Sequence, residues 1–305
     1  MTMVGVLCAR VRVEEKQLLA ALAGAGALPM PLPPAPVPLP IGPRPASEMT
    51  RGIDGARVIV DRCQDRVAAA AILTICHQMG ATVLHAGLAA TADRLAVAGQ
   101  LAAAGVARPA TVLVCSPDAA MAAVEEFGFP ATLLPLRPGA VTSPLIDRDA
   151  AEAVLEHRAV LGSAGDELAL VQAGAPGASA RASVLVVDGR AIAVSGSDAI
   201  HVGRETAALA ERAATAIGAS VAGVELAETA DGIVVWDIQP VPDYRNARPL
   251  HGTWPAAAIA AAAIARLGTG RPHDREPAVR LDEHHWDRER ASERREVSDG
   301  VVLSA

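Results

Sequence analysis

Cysteine and histidine are the residues in this sequence whose side chains could hold a metal ion or carry redox chemistry. No C-x-x-C pair occurs among the four cysteines, Cys8, Cys63, Cys76 and Cys115. The sequence therefore indicates neither a zinc site nor a redox motif. His284 and His285 are adjacent but have no partners at metal-ligand spacing. We expect buried free thiols and solvated histidines.

The composition is that of a globular protein. With 305 residues, the chain has room for two or three compact units. It is 51% hydrophobic but only 2% aromatic, so the core must consist mainly of Ala, Val, Leu and Ile. A net charge of −7 argues against a general nucleic-acid or anionic-membrane partner, since both need a basic surface. The sequence shows no signal-peptide pattern and no apolar run of membrane-spanning length. We expect a soluble, cytoplasmic protein.

The first part of the chain alternates between short apolar runs and helical patterns, as parallel α/β units do. The patterns predict strands at Met3–Cys8, Ala56–Asp61 and Thr82–His85, and helices over Val13–Ala23 and Arg66–Gly80.

A proline-dense run, Pro29–Pro45, follows the first predicted helix. Proline lacks an amide donor and fixes φ, so this run cannot form a helix or a central strand. We expect an extended loop near polyproline II that lies over the first unit. A ligand for an SH3-type domain is the alternative.

The middle and last parts of the chain mix helices with antiparallel strands. Two hairpins are predicted, Ser183–Val187 with Ala191–Val194, and Val221–Leu226 with Ile233–Asp237. The other predicted strands are 110–115, 131–134 and 167–172, and the predicted helices are 92–105, 118–128, 149–161, 205–217 and 254–267.

The composition changes abruptly after Gly268. The segment 271–299 is crowded with charged residues and nearly lacks apolar ones, so it cannot bury enough surface to fold alone. We expect a solvated tail with a marginal helix around Asp287–Val297.

A series of short motifs resembles the LysX ligases of lysine biosynthesis, which are members of the ATP-grasp superfamily. The RimK ligases share the same plan, and the resemblance covers about residues 3–268. The motifs are Val11–Lys16, Arg62-Cys63, Phe127–Pro130, Glu152–His157, Val160–Gly162, Val187–Ala193, Val221–Leu226 and Gly232–Ile238.

The resemblance implies an α/β protein with an ATP-grasp fold. It implies a parallel α/β pre-ATP-grasp domain at 1–88, with the proline-rich loop 29–45, and α+β subdomains at 89–162 and 163–268. The segment 269–305 remains as a disordered tail. Enzymes of this family phosphorylate a carboxylate with ATP, and an amine then displaces the phosphate. LysX acts on the C-terminal glutamate of a small acidic carrier protein, and family members are often homo-oligomers.

Much of the implied ATP site is replaced in this sequence. The first phosphate lysine of the family corresponds to Arg94, which keeps the charge, and the second corresponds to Leu134, which cannot contact phosphate. Arg137 opens a loop with one glycine where the family has a glycine-rich lid. At the adenine hinge, Val171 and Gln172 remain as candidates for nucleotide contact, but the glutamate that follows in the family is absent.

The residues at the implied magnesium-ligand positions differ less from those of the family than the residues of the ATP site do. They correspond to Glu225, Asp237 and Gln239, each of which differs from the family residue by one methylene. Because Mg²⁺ demands near-ideal octahedral distances, three such changes put its affinity in doubt. The alternative is that these are ordinary polar residues of a hairpin.

Two further segments correspond to parts of the family's substrate site. The family's Asp-x-Arg falls on Arg181-Ala182-Ser183, so its charges are altered. Arg245 and Asn246 correspond to a segment that lies near the amino-acid substrate.

Two functions are compatible with this pattern. The first is a degenerate ATP-grasp homologue that binds or supports a paralogous ligase or a carrier protein. The second is an active carboxylate–amine ligase that uses ATP, Mg²⁺, Arg94 and Arg137. A missing phosphate lysine should cost much transition-state stabilisation, so we favour the first. A structural protein without a ligand is a third alternative.

Overall fold

A computed structural model describes residues 2–34, 55–87, 93–137, 140–161, 168–175, 181–196, 200–230 and 232–269. The predicted tail, with His284 and His285, and most of the proline-dense run lie outside the described residues.

The first unit is a parallel α/β layer, as predicted. Its sheet has the strand order β2-β1-β3-β4, and all neighbouring strands are parallel. Helix α2 begins where the Asp65 carboxylate accepts hydrogen bonds from the amides of Val67 and Ala68. The elements are β1 (Met3–Leu7), α1 (Val13–Gly24), β2 (Leu28–Leu32), β3 (Ala56–Asp61), α2 (Arg66–Gln78) and β4 (Thr82–Leu84).

Strand β2 corrects one expectation, because it is the start of the proline-dense run that we expected to be a loop. It lies at the edge of the sheet, so only one side of its backbone pairs with a neighbour. The amide of Leu28 donates to the carbonyl oxygen of Thr2 at 3.0 Å. Pro29 and Pro31 alternate with the pairing residues, where a missing amide costs no ladder hydrogen bond. The run is thus extended, as predicted, but begins as an edge strand.

The middle unit is an antiparallel sheet with the strand order β5-β8-β6-β7. Helices α4 and α5 cover one face, where Val124 and Leu155 pack with Leu133 and Val171. Strand β8 was expected to open the last unit, but it pairs between β5 and β6 instead. The elements are α3 (Arg94–Ala103), β5 (Thr111–Val114), α4 (Pro117–Phe127), β6 (Ala131–Pro135), β7 (Ser143–Leu145), α5 (Arg148–Leu161) and β8 (Ala169–Ala173).

The last unit is an antiparallel sheet with the order β12-β11-β9-β10-β13, and both predicted hairpins are confirmed. Asp188 and Gly189 have φ values of 49° and 73°, as a tight hairpin turn requires. Helix α6 packs on one face through Ala210 and Ala213. The elements are β9 (Arg181–Val187), β10 (Arg190–Gly196), α6 (Arg204–Ala216), β11 (Val221–Thr229), β12 (Gly232–Gln239), β13 (Arg248–Pro249) and α7 (Pro255–Thr269).

The first and last units share one hydrophobic core. Val4 and Leu18 of the first unit pack in the same cluster as Leu185 and Ile259 of the last. The carbonyl oxygen of His85 accepts hydrogen bonds from the amides of Ser220 and Val221, at 2.8 and 3.2 Å. These contacts fix the end of β4 against the start of β11.

The thiols differ from expectation at one position. Cys8, Cys63 and Cys76 are buried, but Cys115 is exposed because it follows the edge strand β5. Within the described ranges, no helix combines the length and apolarity needed to cross a bilayer.

Candidate functional site

A cleft of about 420 Å³ lies between the middle sheet and the last sheet. Leu134, Leu170 and Gln172 line it from the middle sheet, and the segment 235–239 of β12 lines it from the last sheet. Helix α3 contributes Arg94 at the same opening. The volume lies within the range of small-molecule sites.

The middle-sheet wall follows from strand alternation. Leu170 and Gln172 face the cleft, while Val171 between them packs against the helices on the opposite face. Gln172 is 1% exposed, and its Nε2 donates to the carbonyl oxygen of Trp236 at 3.4 Å. Its Oε1 has no hydrogen-bond partner among the described residues. The wall therefore presents a mostly apolar surface with one buried acceptor.

The opposite wall carries the acidic groups. Glu225 of β11 pairs directly with Asp237 of β12, and a bulge at this point leaves Trp236 unpaired between two ladder positions. The Gln239 amide nitrogen donates to Glu225 Oε1. Asp237 Oδ1 accepts a hydrogen bond from the Ile238 amide at 2.8 Å. The two carboxylates and the amide thus form one polar cluster on the cleft wall.

Burial dominates the protonation of these carboxylates. It raises the pKa of Glu225, and the nearby Asp237 charge raises it further. Burial also raises the pKa of Asp237, while the guanidinium groups of Arg94, Arg108 and Arg181 oppose this shift. The positive charges of three arginines therefore partly offset the effect of burial on Asp237, which lies next to a second carboxylate, Glu225.

Arg181 is the arginine with the most direct contacts to this cluster. Its Nη1 lies 3.8 Å from Glu225 Oε2, and its guanidinium carbon lies 4.1 Å from the centre of the Trp236 ring. The stacking fixes the planar group against the wall. Its Nε and Nη2 are buried and have no hydrogen-bond partner among the described residues.

Arg94 is held by the backbone at the end of β6. Its Nη1 donates to the carbonyl oxygens of Pro135 and Arg137, at 2.8 and 3.0 Å, and its amide donates to Leu136. Asp93 caps the helix by accepting a hydrogen bond from the Leu95 amide. The position of the guanidinium at the cleft is therefore set by both α3 and β6.

The first unit supplies a third wall with Arg12, Gln64 and Arg66. Both arginines are paired within their own unit. Arg12 Nε lies 3.3 Å from Glu15, and Arg66 Nη2 lies 2.7 Å from Asp61. Arg12 follows β1, and Gln64 and Arg66 follow β3. The carboxyl ends of these parallel strands meet at one edge of the sheet, so the three residues lie together there.

A buried arginine ties the segment after β12 to this third wall. Arg62 Nε lies 3.0 Å from Glu15 Oε1, and its Nη1 donates to the carbonyl oxygen of Pro242 at 2.8 Å. Its guanidinium also lies over the Tyr244 ring, 4.9 Å from its centre. The opposed charge of Arg62 contributes to lowering the pKa of Glu15, although burial acts in the other direction. Asp243 is thereby held at the cleft rim.

Comparison with solved structures identifies this arrangement. An ATP-grasp protein with a RimK domain from Sphaerobacter thermophilus matches 86% of this chain and 100% of its own, with 27% identity and a TM-score of 0.74. The chain has the ATP-grasp fold. D-cycloserine synthetase DcsG matches 87% of this chain and 99% of its own, with 18% identity and a TM-score of 0.64. No protein-family model matches the sequence.

A further ATP-grasp structure is that of the ligase PsnB, solved with the precursor peptide PsnA2 and AMPPNP. It matches 86% of this chain and 96% of its own, with 16% identity and a TM-score of 0.61. These two structural relatives are thus a ligase and a synthetase, and the predicted α/β fold with a parallel first unit is confirmed.

The structure brings four of the candidate residues of this ATP-grasp chain to the cleft. These residues are Arg94, Gln172, Asp237 and Gln239. Glu225 contacts the last of them through its hydrogen bond.

Four other candidates are placed elsewhere. The Val171 side chain lies in the core on the other face of the sheet. Arg137 is exposed and contributes its carbonyl oxygen to Arg94. Arg245 and Asn246 are exposed and do not line the cleft, and Arg245 lies 3.3 Å from Glu14.

Sequence reasoning missed three arginines and one carboxylate of the cleft, namely Arg12, Arg66, Arg108 and Asp243. Arg66 and Asp243 line it, as does Arg108, which donates to the Thr111 hydroxyl at 3.2 Å. Arg108 resembles any surface arginine in the sequence. The signal for Arg66 was its place after a parallel strand, at the edge where such sheets hold ligands.

The donor set fits a divalent cation poorly. Among the described residues, no group of three or more His, Cys, Asp or Glu side chains is placed to hold a metal ion. The Glu225 carboxylate faces Arg181 and accepts from Gln239, so one oxygen is engaged by a donor and the other faces a cation. Mg²⁺ requires several free oxygen ligands in octahedral geometry.

Proposed function

We propose that this chain is a LysX-like or RimK-like ATP-grasp homologue that holds an anionic ligand in its cleft and has lost efficient ligase activity. It acts by binding or supporting a partner ligase or a carrier protein. One observation carries the proposal, which is that Leu134 lines the cleft where the resemblance places a phosphate-binding lysine.

Leu134 lies near the end of β6, lines the cleft and is 6% exposed. Leu170 of the neighbouring strand lines the same wall, so the local surface is apolar. Phosphoryl transfer depends on fixed cations that stabilise the charge developing on the phosphate oxygens. A leucine supplies neither a charge nor a donor, and Arg94 is held by two carbonyl oxygens.

The cleft is nevertheless suited to an anion. Arg12, Arg66, Arg94 and Arg108 line it, against two carboxylates, Asp237 and Asp243. Guanidinium groups bind phosphate and carboxylate oxygens in bidentate geometry. The lining thus holds more positive than negative groups, although Arg12 and Arg66 are paired with Glu15 and Asp61 behind it and the whole chain has a net charge of −7. It gives an acidic carrier or peptide a surface to approach, and the structural relative PsnB is a ligase solved with a precursor peptide.

An active ligase is the second candidate, with ATP and Mg²⁺ as cofactors. The open cleft of about 420 Å³ and the 27% identity to the RimK-domain protein favour it. In that case Arg94 and Gln172 contact the nucleotide, and Glu225, Asp237 and Gln239 hold the metal.

A turnover assay separates the two candidates. The purified chain is incubated with Mg-ATP, the common amino acids and a peptide that ends in glutamate, and ADP and ligated peptide are measured. We expect neither product above background, while a RimK-type ligase assayed in parallel forms both. ADP formation that depends on the peptide would show that the chain is a ligase.

A further inference from the structure

The paired residues Glu225 and Asp237 lie near a positively charged side chain of the same chain, Arg181. Arg181 opens β9, and its side chain lies over Trp236 with Nη1 at 3.8 Å from Glu225. β9 pairs with β11, so Arg181 is on the strand next to Glu225. Asp237 lies on β12, on the other side of β11, and pairs with Glu225. The charge of Arg181 also opposes the rise in the pKa of Asp237. The guanidinium therefore faces Glu225, which pairs across the strand ladder with Asp237.

A metal ion would enter a region in which arginine side chains already balance the negative charge of the carboxylates. Arg94 and Arg108 line the same cleft as Asp237, and Arg181 Nη1 lies 3.8 Å from Glu225. Like charges in a buried region repel strongly, since the effective dielectric constant is low. Gln239 adds to this effect, because its amide donates to Glu225 and thereby uses an oxygen that a metal would need.

We propose that Arg181 takes the place of the divalent cation beside Glu225, behind the lining of this cleft, so that the cleft binds its anionic ligand without a metal ion. The inference rests on the proposed function, because it assumes that the cleft holds an anion. It adds that the charge which an ATP-grasp ligase recruits from solution is a permanent part of this chain.

The surroundings of Arg181 support this assignment. Nε and Nη2 are enclosed by the protein and have no partner among the described residues. The guanidinium is therefore held by Trp236 and Glu225, and its charge acts on the cleft wall through these two neighbours. Arginine suits such a role because its charge persists in partly buried sites and its planar group stacks on aromatic rings.

The test uses Mn²⁺ alone, whose free concentration is followed by electron paramagnetic resonance. We expect no stoichiometric binding to the wild-type chain up to about 1 mM, the weak end of protein sites for divalent cations. Arg181→Met keeps the apolar stem over Trp236 and removes the charge. This variant should bind Mn²⁺ at least about tenfold more tightly, a change of roughly 1.4 kcal/mol.

Two controls locate the effect. Adding Glu225→Gln to Arg181→Met should abolish the gained Mn²⁺ binding. Arg190→Met removes an exposed arginine from the neighbouring strand β10 and should leave Mn²⁺ binding as in the wild type. Circular dichroism and the melting temperature establish that each variant is folded.

Wild-type binding of Mn²⁺ at submillimolar concentration that Glu225→Gln removes would overturn the inference. A folded Arg181→Met variant without gained affinity would do the same. If that variant does not fold, the wild-type titration alone decides. Because no nucleotide is present, this outcome is independent of ligase activity, so metal binding without ADP formation overturns the inference and leaves the proposed function intact.

Discussion

Gly87 lies so close to Ile217 that a β-carbon on the glycine would be 2.0 Å from the Ile217 carbonyl oxygen. Gly87 follows β4 of the first unit, and Ile217 is the C-cap residue that follows helix α6 of the last unit. The glycine also has a φ of 87°, in the left-handed region that other residues avoid. The two units therefore meet at a point where only glycine fits.

This contact predicts a large cost for Gly87→Ala. The left-handed conformation alone costs roughly 1–2 kcal/mol for an L-residue, and the clash with a backbone oxygen adds to it. Gly80→Ala is the matched control, because Gly80 has a φ of 88° but open space around it. Urea unfolding should show that Gly87→Ala loses at least about 2 kcal/mol more than Gly80→Ala. Equal losses would show that the structure around Gly87 and Ile217 adjusts to the added β-carbon without a loss in the free energy of unfolding.

His85 predicts a pH dependence of the same junction. Burial lowers the pKa of His85 from 6.5, although the charge of Asp61 opposes this shift. The neutral ring accepts a hydrogen bond at Nδ1 from the Gly87 amide at 2.7 Å. A protonated ring cannot accept there, so both effects favour the neutral form in the folded state.

The sign follows from proton uptake. With the folded pKa below the unfolded value, the unfolded state binds more protons as the pH falls through 6.5. The contribution of His85 is therefore complete above that pH and is lost below it. His85→Asn keeps an acceptor and removes the titration. Between pH 7.5 and 5.0, its urea midpoint should fall less than that of the wild type, and an equal fall would contradict the assignment.

Arg62 predicts the cost of breaking the buried network behind the cleft. Its side chain and that of Glu15 are 1% and 0% exposed. Removing Arg62 takes away the buried cation that faces Glu15 and leaves only Arg12, which is 43% exposed, so Arg62→Ala should cost about 3–5 kcal/mol. Arg148→Ala removes an arginine that is 58% exposed and paired with Glu152, itself 48% exposed, and should cost less than about 1 kcal/mol. Similar losses for the two variants in urea unfolding would disprove this difference.

Leu134 predicts that nucleotide affinity can be increased by one substitution. Leu134→Lys places a charge at the end of β6, and a charged hydrogen bond to phosphate is worth about 1.5–3 kcal/mol. ATP affinity measured by calorimetry should therefore rise by roughly tenfold or more. Leu170→Lys adds the same charge on the neighbouring strand of the same wall and should raise affinity less. Equal effects would mean that only the net charge of the cleft matters.

The elements of the fold could be predicted because local signals specify them. Asp188-Gly189 between two apolar runs predicted the hairpin that is present, and alternating apolar strands predicted the parallel first unit. The pairing of β8 could not be predicted, because its neighbours β5 and β6 are separated from each other by helix α4 and from β8 by β7 and helix α5. Its apolar run fits a buried strand in either sheet.

The site was less predictable than the fold. Motif positions identified Arg94, Asp237 and Gln239 as parts of one site, and the structure places all three at the cleft. The role of Arg181 depends on its stacking against Trp236, and the bulge at Trp236 arises from pairing between β11 and β12. A sequence shows neither the stacking nor the bulge.

Calorimetric titration of the wild-type chain with ATP, once with excess Mg²⁺ and once with EDTA, tests the central claim most directly. The claim is that this ATP-grasp cleft no longer supports metal-dependent nucleotide chemistry. We expect the affinity for ATP to be weak and the same in both titrations, because Leu134 and Arg181 stand where the lysine and the metal charge would act. Micromolar binding that requires Mg²⁺ would contradict the claim.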